Sequence, residues 1–460
     1  GTAGYGVDAD RPRVGAPRTS SSGIPNPAGA LALDLRTRMA QHPVHAYRMQ
    51  RLVATLAVLV AAAAAAAPVA APATPCADTA PPDTPIGVVH LDLPRAPPSA
   101  DGRLRWLHDG SPLLQGWGSP YQTMLVENAA ANSTFAHDLR REFGFSAVIL
   151  NPPGTSGWGG STPAVFARAV QSYARAGMGV LLYSSIVHAG EDPVWTSGNL
   201  SRDHPDWLQR HVDGSPWLLE TKPALTPAAD GAVEWTLNRT LGLLRQFPEA
   251  TGVMLDNSEL CPDSELCDYS AAALGKWQAY LTSRLPAEWA RRCLNVSDRA
   301  TAPLPTAADV GSPLFGLFDH FRNRLNAHGL ERFRSTLHAL PNGPVALFAN
   351  TELEWPNAAL ATRLQPAHED AILTESYDTG AAAVDKAQLS SAMAPRQDFP
   401  VYNFLGSFQK TDYHKLLPPQ LALSQLAATL MARAKPWLVY YGLDQPSDSR
   451  SVISNVLKFR

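Results

Sequence analysis

Two acidic residues close apolar runs in this chain. The run TGVMLDN, from Thr251, ends on Asp256, and EDAILTES, from Glu369, reaches Glu375. A carboxylate at the end of a buried segment is costly to desolvate unless it is paired or put to use. The structural alternatives are an Asp that caps the next loop and a Glu in an ion pair. The chemical use that fits two such acids is cleavage of a glycosidic bond. One acid protonates the leaving oxygen, and the other attacks the anomeric carbon or steadies its charge. On that reading Asp256 is the nucleophile or charge stabiliser and Glu375 the general acid/base.

Polar residues at the ends of the other apolar runs are candidates to contact a saccharide: Glu127, Asn151, Tyr183, Asn257, Asn350, Glu352, Tyr377 and Asn403. Trp158, set among glycines in GTSGWGGS, offers a face on which a sugar ring can stack. About half of the loop tryptophans read instead as plugs into the core. No His-x-His follows the first run and no histidines pair at ligand spacing, so no metal is expected. No strand is followed by G-x-G-x-x-G or a P-loop, so no cofactor is expected.

Eight apolar runs could position these residues. They begin at Tyr121 (YQTMLVEN), Phe145 (FSAVILN), Met178 (MGVLLYSS), Thr251, Pro344 (PVALFAN), Glu369, Phe399 (FPVYNFL) and Lys435 (KPWLVYYG). Each is short and apolar on both faces, as buried parallel strands are. Segments with i, i+3, i+4 apolar spacing lie between them, among them TPAVFARAVQSYARAG and AVEWTLNRTLGLLRQF. Strand–helix alternation counted to eight predicts an α/β fold, a (β/α)8 TIM barrel, ahead of an open doubly wound sheet. Long insertions are expected after strands three and four, where they would build the active-site face. SVISNVLKFR reads as an eighth helix cut short.

The 460 residues carry 38 Lys plus Arg and 41 Asp plus Glu, a net charge of -3, which gives no electrostatic case for a nucleic-acid partner. The chain opens on Gly1, and residues 1–48 read as a non-native or disordered extension. The segment 49–75, with Arg51 ahead of an apolar run from Leu52 to Ala67, has the pattern of a secretory signal peptide. That run is short of the roughly 20 residues that span a bilayer, so no stable membrane anchor is expected. Residues 76–119 read as a linker and 120–460 as the barrel. A secreted location agrees with four sequons, at Asn132, Asn199, Asn238 and Asn295. It also permits a disulfide between Cys261 and Cys267, or one of these with Cys293. Oligomeric state is not legible in the sequence.

Three segments carry a resemblance. DHPDWLQRHVDGSPW, from Asp203, resembles the HP-x-W plus D-G segment between strands three and four of a broad group of TIM-barrel glycoside-hydrolase-like proteins. TGVMLDNSELCPDSELCDYS is similar to that group's fourth strand and the loop after it, and RAKPWLVYYG to its last strand. The resemblance covers roughly residues 120–460. It implies a carbohydrate substrate, and alpha-galactosidase-like and fucosidase-like barrels place a nucleophilic Asp at the end of strand four, which falls on Asp256. Glu375 is chosen by position. The clan with paired glutamates has Asn-Glu there, whereas this chain has Asp256-Asn257, so that mechanism is not carried over. Two other classes remain. One is a non-catalytic carbohydrate-binding barrel, which keeps the aromatic cleft without a proton donor. The other is a barrel for phosphorylated substrates at Gly406 and Gly442, which lacks a Gly-rich nest.

Overall fold

The structure is a computed structural model. It describes residues 102–108, 111–117, 121–153, 161–185, 200–219, 222–256, 268–352, 368–375, 381–394, 398–406, 408–409 and 412–441. The chain divides into two units, Gly1–Thr74 and Pro75–Arg460, and every described residue belongs to the second. The expected extension and signal segment therefore lie outside the described residues.

Eight parallel strands close into one barrel. They are β1 (Leu113–Trp117), β2 (Ala147–Leu150), β3 (Gly179–Ser185), β4 (Gly252–Asp256), β5 (Ala346–Glu352), β6 (Ala371–Glu375), β7 (Val401–Gly406) and β8 (Lys435–Tyr441). Each pairs with its sequence neighbours, and β1 closes the ring on β8, with Leu113 opposite Trp437. Between the strands run α1 (Tyr121–Ala131), α2 (Phe135–Arg141), α3 (Pro163–Arg175), α4 (Leu200–Asp203), α5 (Asp230–Gln246), α6 (Ala271–Arg284), α7 (Ala287–Leu294), α8 (Pro313–His338), α9 (Ala381–Ala392) and α10 (Pro419–Met431). Helix starts follow local chemistry. The hydroxyls of Thr162, Ser270 and Ser312 accept from backbone N–H groups of the first turn, and Pro163 and Pro313 stand in that turn, where no donor is needed. Among the described residues no helix is long and apolar enough to cross a membrane.

Seven of the eight expected runs are barrel strands. The exception is the run from Tyr121, which forms α1. Leu125, Val126 and Ala129 are buried while Glu127 and Asn128 between them are exposed, a helical period rather than a strand's. The true first strand, LLQGW, lies before residue 120, the expected start of the barrel. Its apolar signature is broken by Gln115, which is fully buried because its Oε1 accepts from the Trp437 indole Nε1 at 3.0 Å.

Alternation along the strands sorts the core into two layers. Leu113, Ala147, Ile149, Leu181, Tyr183, Met254, Phe348, Leu373, Tyr402, Phe404, Trp437 and Val439 pack together inside the barrel. Leu114, Val148, Leu150, Val180, Leu182, Val253, Leu255, Leu347 and Leu405 face the helices. A 3-10 turn, Gly102–Leu107, joins the inner cluster through Leu104, Trp106 and Leu107. A Cβ on Gly179 would stand 2.4 Å from the Trp106 ring, so this glycine makes room for the indole. Arg103 ties the turn to the segments entering β4 and β5, donating to the carbonyls of Ala250, at 2.5 Å, of Asn342, at 3.0 Å, and of Pro248.

The connection from β3 to β4 holds α4, a stacked His204–Trp207 pair with centroids 3.8 Å apart, a hairpin of Leu218–Leu219 with Lys222–Pro223, and α5. The connection from β4 to β5 holds α6, α7 and α8. Buried Asp268, before α6, accepts from the backbone N–H of Ser270 and of Arg210 at 2.8 and 3.1 Å and from the Thr226 hydroxyl, so it fastens the first of these connections to the second.

Candidate active site

Catalytic groups of such barrels sit where strands end at their C-terminal face. Here the inward phase brings Asn151, Tyr183, Asp256, Asn350 and Glu375 to that face, from β2 through β6. All five are buried, Asp256 at 4% and Glu375 at 2% exposure.

Four of the five are in described mutual contact. The Tyr183 hydroxyl donates to Asp256 Oδ2 at 2.5 Å. The Asn350 amide Nδ2 donates to Asp256 Oδ1 at 2.8 Å and to Glu375 Oε2 at 2.5 Å. Those two carboxylate oxygens are therefore no more than 5.3 Å apart, the sum of the two contacts. Backbone order explains the bridge: β5 lies between β4 and β6, so Asn350 stands between the strands that carry the two acids. The sequence reading placed Tyr183 and Asn350 as saccharide contacts, whereas their described hydrogen bonds go to the carboxylates. A signal for this was present, since the inward phase shared by Phe348 and Asn350 points the amide at the neighbouring strand ends.

The remaining expected residues fall in different places. Asn151 follows β2 in the inward phase and is buried. Glu352 closes β5 in register with Glu375. Glu127 is displaced: it lies exposed on α1 in the outer ring, because the run that was to end on it is a helix. Asn403 is displaced by one step of the pleat. It shares the phase of Val401 and Leu405, which face outward, while Tyr402 and Phe404 face in. Its Oδ1 accepts from Thr374 Oγ1 at 2.8 Å in a small polar space lined also by Ser390 on α9 and Gln425 on α10. Trp158, Asn257, Tyr377, Cys261 and Cys267 lie outside the described residues. Cys293 is disulfide-bonded, and its partner is also outside them.

Two further charges, half-buried Arg239 and fully buried Asp370, have their described partners elsewhere. Arg239 of α5 donates to Ser184 Oγ at 3.1 Å on the outward face of β3, and burial pulls its guanidinium down to about 9. Asp370 precedes β6 at the opposite end from Glu375 and is fully buried. It accepts from Arg334 Nε at 2.9 Å, from His338 Nε2 at 2.9 Å and from the Leu347 backbone N–H at 2.8 Å. Among the described residues no group of three or more His, Cys, Asp or Glu is placed to hold a metal ion.

No family model and no curated protein matches this sequence. Solved structures do match its fold. A beta-galactosidase from the psychrophilic Marinomonas ef1 superposes with a TM-score of 0.56 at 12% identity, over 76% of this chain and 58% of that one. A cold-adapted beta-galactosidase from Rahnella sp. R3 gives a TM-score of 0.53 at 15% identity, over 76% of this chain and 56% of that one. The chain thus spans little more than half the length of these neighbours. What it shares with them is the fold, a closed barrel of eight parallel strands.

Proposed function

We propose that the protein is a secreted glycoside hydrolase that cleaves an O-glycosidic bond of a carbohydrate substrate at the barrel mouth, with Asp256 as nucleophile or charge stabiliser and Glu375 as general acid/base. One observation carries the reading: two buried carboxylates from different strands meet at the C-terminal face, with oxygens no more than 5.3 Å apart. A separation of about 5–5.5 Å suits direct attack by one carboxylate, whereas insertion of a water needs about 6.5–9.5 Å. The reading therefore includes retention of anomeric configuration.

The roles follow from the surroundings. Asp256 receives donors on both oxygens, which favours its charged form. A charge held there favours a neighbouring acid that keeps its proton, as a general acid must. In the first step an Asp256 oxygen bonds the anomeric carbon. The bond to the leaving oxygen breaks, and Glu375 protonates that oxygen. In the second, Glu375 takes a proton from the water that displaces Asp256.

Secretion rests on the apolar run after Met49 and draws support from the disulfide at Cys293, a bond of oxidising compartments. The mature protein should begin between about Ala67 and Thr79, which N-terminal sequencing of secreted material checks. The catalytic reading is tested by screening purified protein against chromogenic glycosides and following product anomers by NMR. Hydrolysis lost in both Asp256→Asn and Glu375→Gln supports it. Saccharide binding without turnover by the native protein would favour a carbohydrate-binding barrel instead.

A further inference from the structure

We infer that Asn350 is the positioning residue of the pair. It fixes the spacing of the two acids and confines the transferable proton of Glu375 to Oε1. This rests on the reading of Asp256 and Glu375 as the reacting pair. A primary amide nitrogen carries two hydrogens. At Asn350 one is directed to Asp256 Oδ1, at 2.8 Å, and the other to Glu375 Oε2, at 2.5 Å. Both are thus engaged by carboxylates, and Asn350 is 2% exposed.

The choice of group has a chemical consequence. A lysine between two acids would favour charge on both and would empty the general acid of its proton. A neutral amide donates to a carboxylate, more strongly, and also to the carbonyl oxygen of a protonated acid. Asn350 can therefore keep both hydrogen bonds while Glu375 gives up its proton in the first step and regains one in the second. Because Oε2 accepts from Asn350 throughout, the proton leaves from and returns to Oε1. Tyr183 on β3 holds the other oxygen of Asp256, so the nucleophile is fixed from two sides. Among the described residues, the ionisable groups hydrogen-bonded into this cluster are Asp256 on β4, Tyr183 on β3 and Glu375 on β6.

The test reads the acids without a substrate. In the native protein the Asn350 side-chain amide proton signals, followed by nitrogen-15 NMR, should move in two steps as pH is varied. The steps should coincide with the carbon-13 titrations of the Asp256 and Glu375 carboxyls. In Asn350→Leu, which keeps the branched skeleton and removes both donors, the lower of the two apparent pKa values should rise by about one unit or more. The acid limb of kcat/KM on an aryl glycoside should move with it. Amide signals that follow one acid or neither, or carboxyl titrations unchanged in Asn350→Leu, overturn the inference. The native titration decides the matter alone if Asn350→Leu does not fold. Failure of the hydrolase reading looks different: Asp256→Asn and Glu375→Gln would keep native turnover while the coupled titration persisted.

Discussion

Strand β6 carries a buried acid at each end, and the two are treated in opposite ways. Asp370, where the strand enters the barrel, meets a guanidinium, an imidazole and a backbone N–H, which join α8 and β5 to β6. Glu375, where the strand leaves, meets the amide of Asn350 and, through it, a second carboxylate. The acid that fastens the fold is held by groups able to balance its charge. The acid at the mouth sits beside another acid. Burying like groups together is expensive, and it is kept where proton movement has a use. On the proposed reading, the same strand separates stability from chemistry by its two ends, as in barrels generally.

Breaking either end should give opposite signatures. The largest effect is expected at the mouth. Asp256→Asn keeps the shape and removes the charge, and turnover of a cleaved glycoside should fall by on the order of 10³-fold or more. The midpoint of urea unfolding should not fall in the same variant. Glu375→Gln should harm glycosides with poor leaving groups far more than activated aryl glycosides, because only the former need the proton. At the entry end, Asp370→Ala leaves Arg334 and His338 facing a vacated buried site. A loss of roughly 3–5 kcal/mol in unfolding free energy is expected, with kcat per folded molecule unchanged. A fall in kcat at constant stability would erase the contrast between the ends.

Smaller effects sharpen it. Gly179→Ala pushes a methyl into the base of the Trp106 ring and should cost about 1–3 kcal/mol. Pairing it with Trp106→Leu should return part of that, measurable as a non-additive double-mutant cycle. Tyr183→Phe removes a donor that favours charged Asp256. The acid limb of the pH–kcat/KM profile should therefore move to higher pH by about one unit, with little change at the alkaline limb. The smallest effect concerns Asp268, whose carboxyl burial pushes up. An acid raised on folding contributes stability at pH below its ordinary value and loses it as pH rises through the raised value. The stability advantage of the native protein over Asp268→Asn should narrow over that interval, as read from urea melts at several pH values.

Seven strands were legible because buried parallel strands are apolar on both faces and need no partner to be recognised. The first was not. LLQGW hides a glutamine whose Oε1 is met by an indole 322 positions away, while YQTMLVEN is apolar enough to pass for a strand until its exposed Glu127 and Asn128 show the helical period. At the site, Asp256 and Glu375 could be picked out because each closes an apolar run. Asn403 was misplaced because the outward polar space among Thr374, Ser390 and Gln425 appears only once α9 and α10 pack on β6 and β7.

By itself the sequence determined the repeat of strand and helix, and with it the end of the barrel at which polar strand termini gather. These are local properties, set by side-chain periodicity and by the cost of burying an acid. The tertiary structure decided closure of the ring through β1 and β8, the inward or outward facing of each strand-end residue, and the meeting of Asp256 with Glu375 across Asn350. Those depend on strand order and register, which bring together residues 94 and 25 positions apart along the chain. Spacing in sequence carries no record of that distance, because a one-residue slip in register would turn the same side chains to the other face.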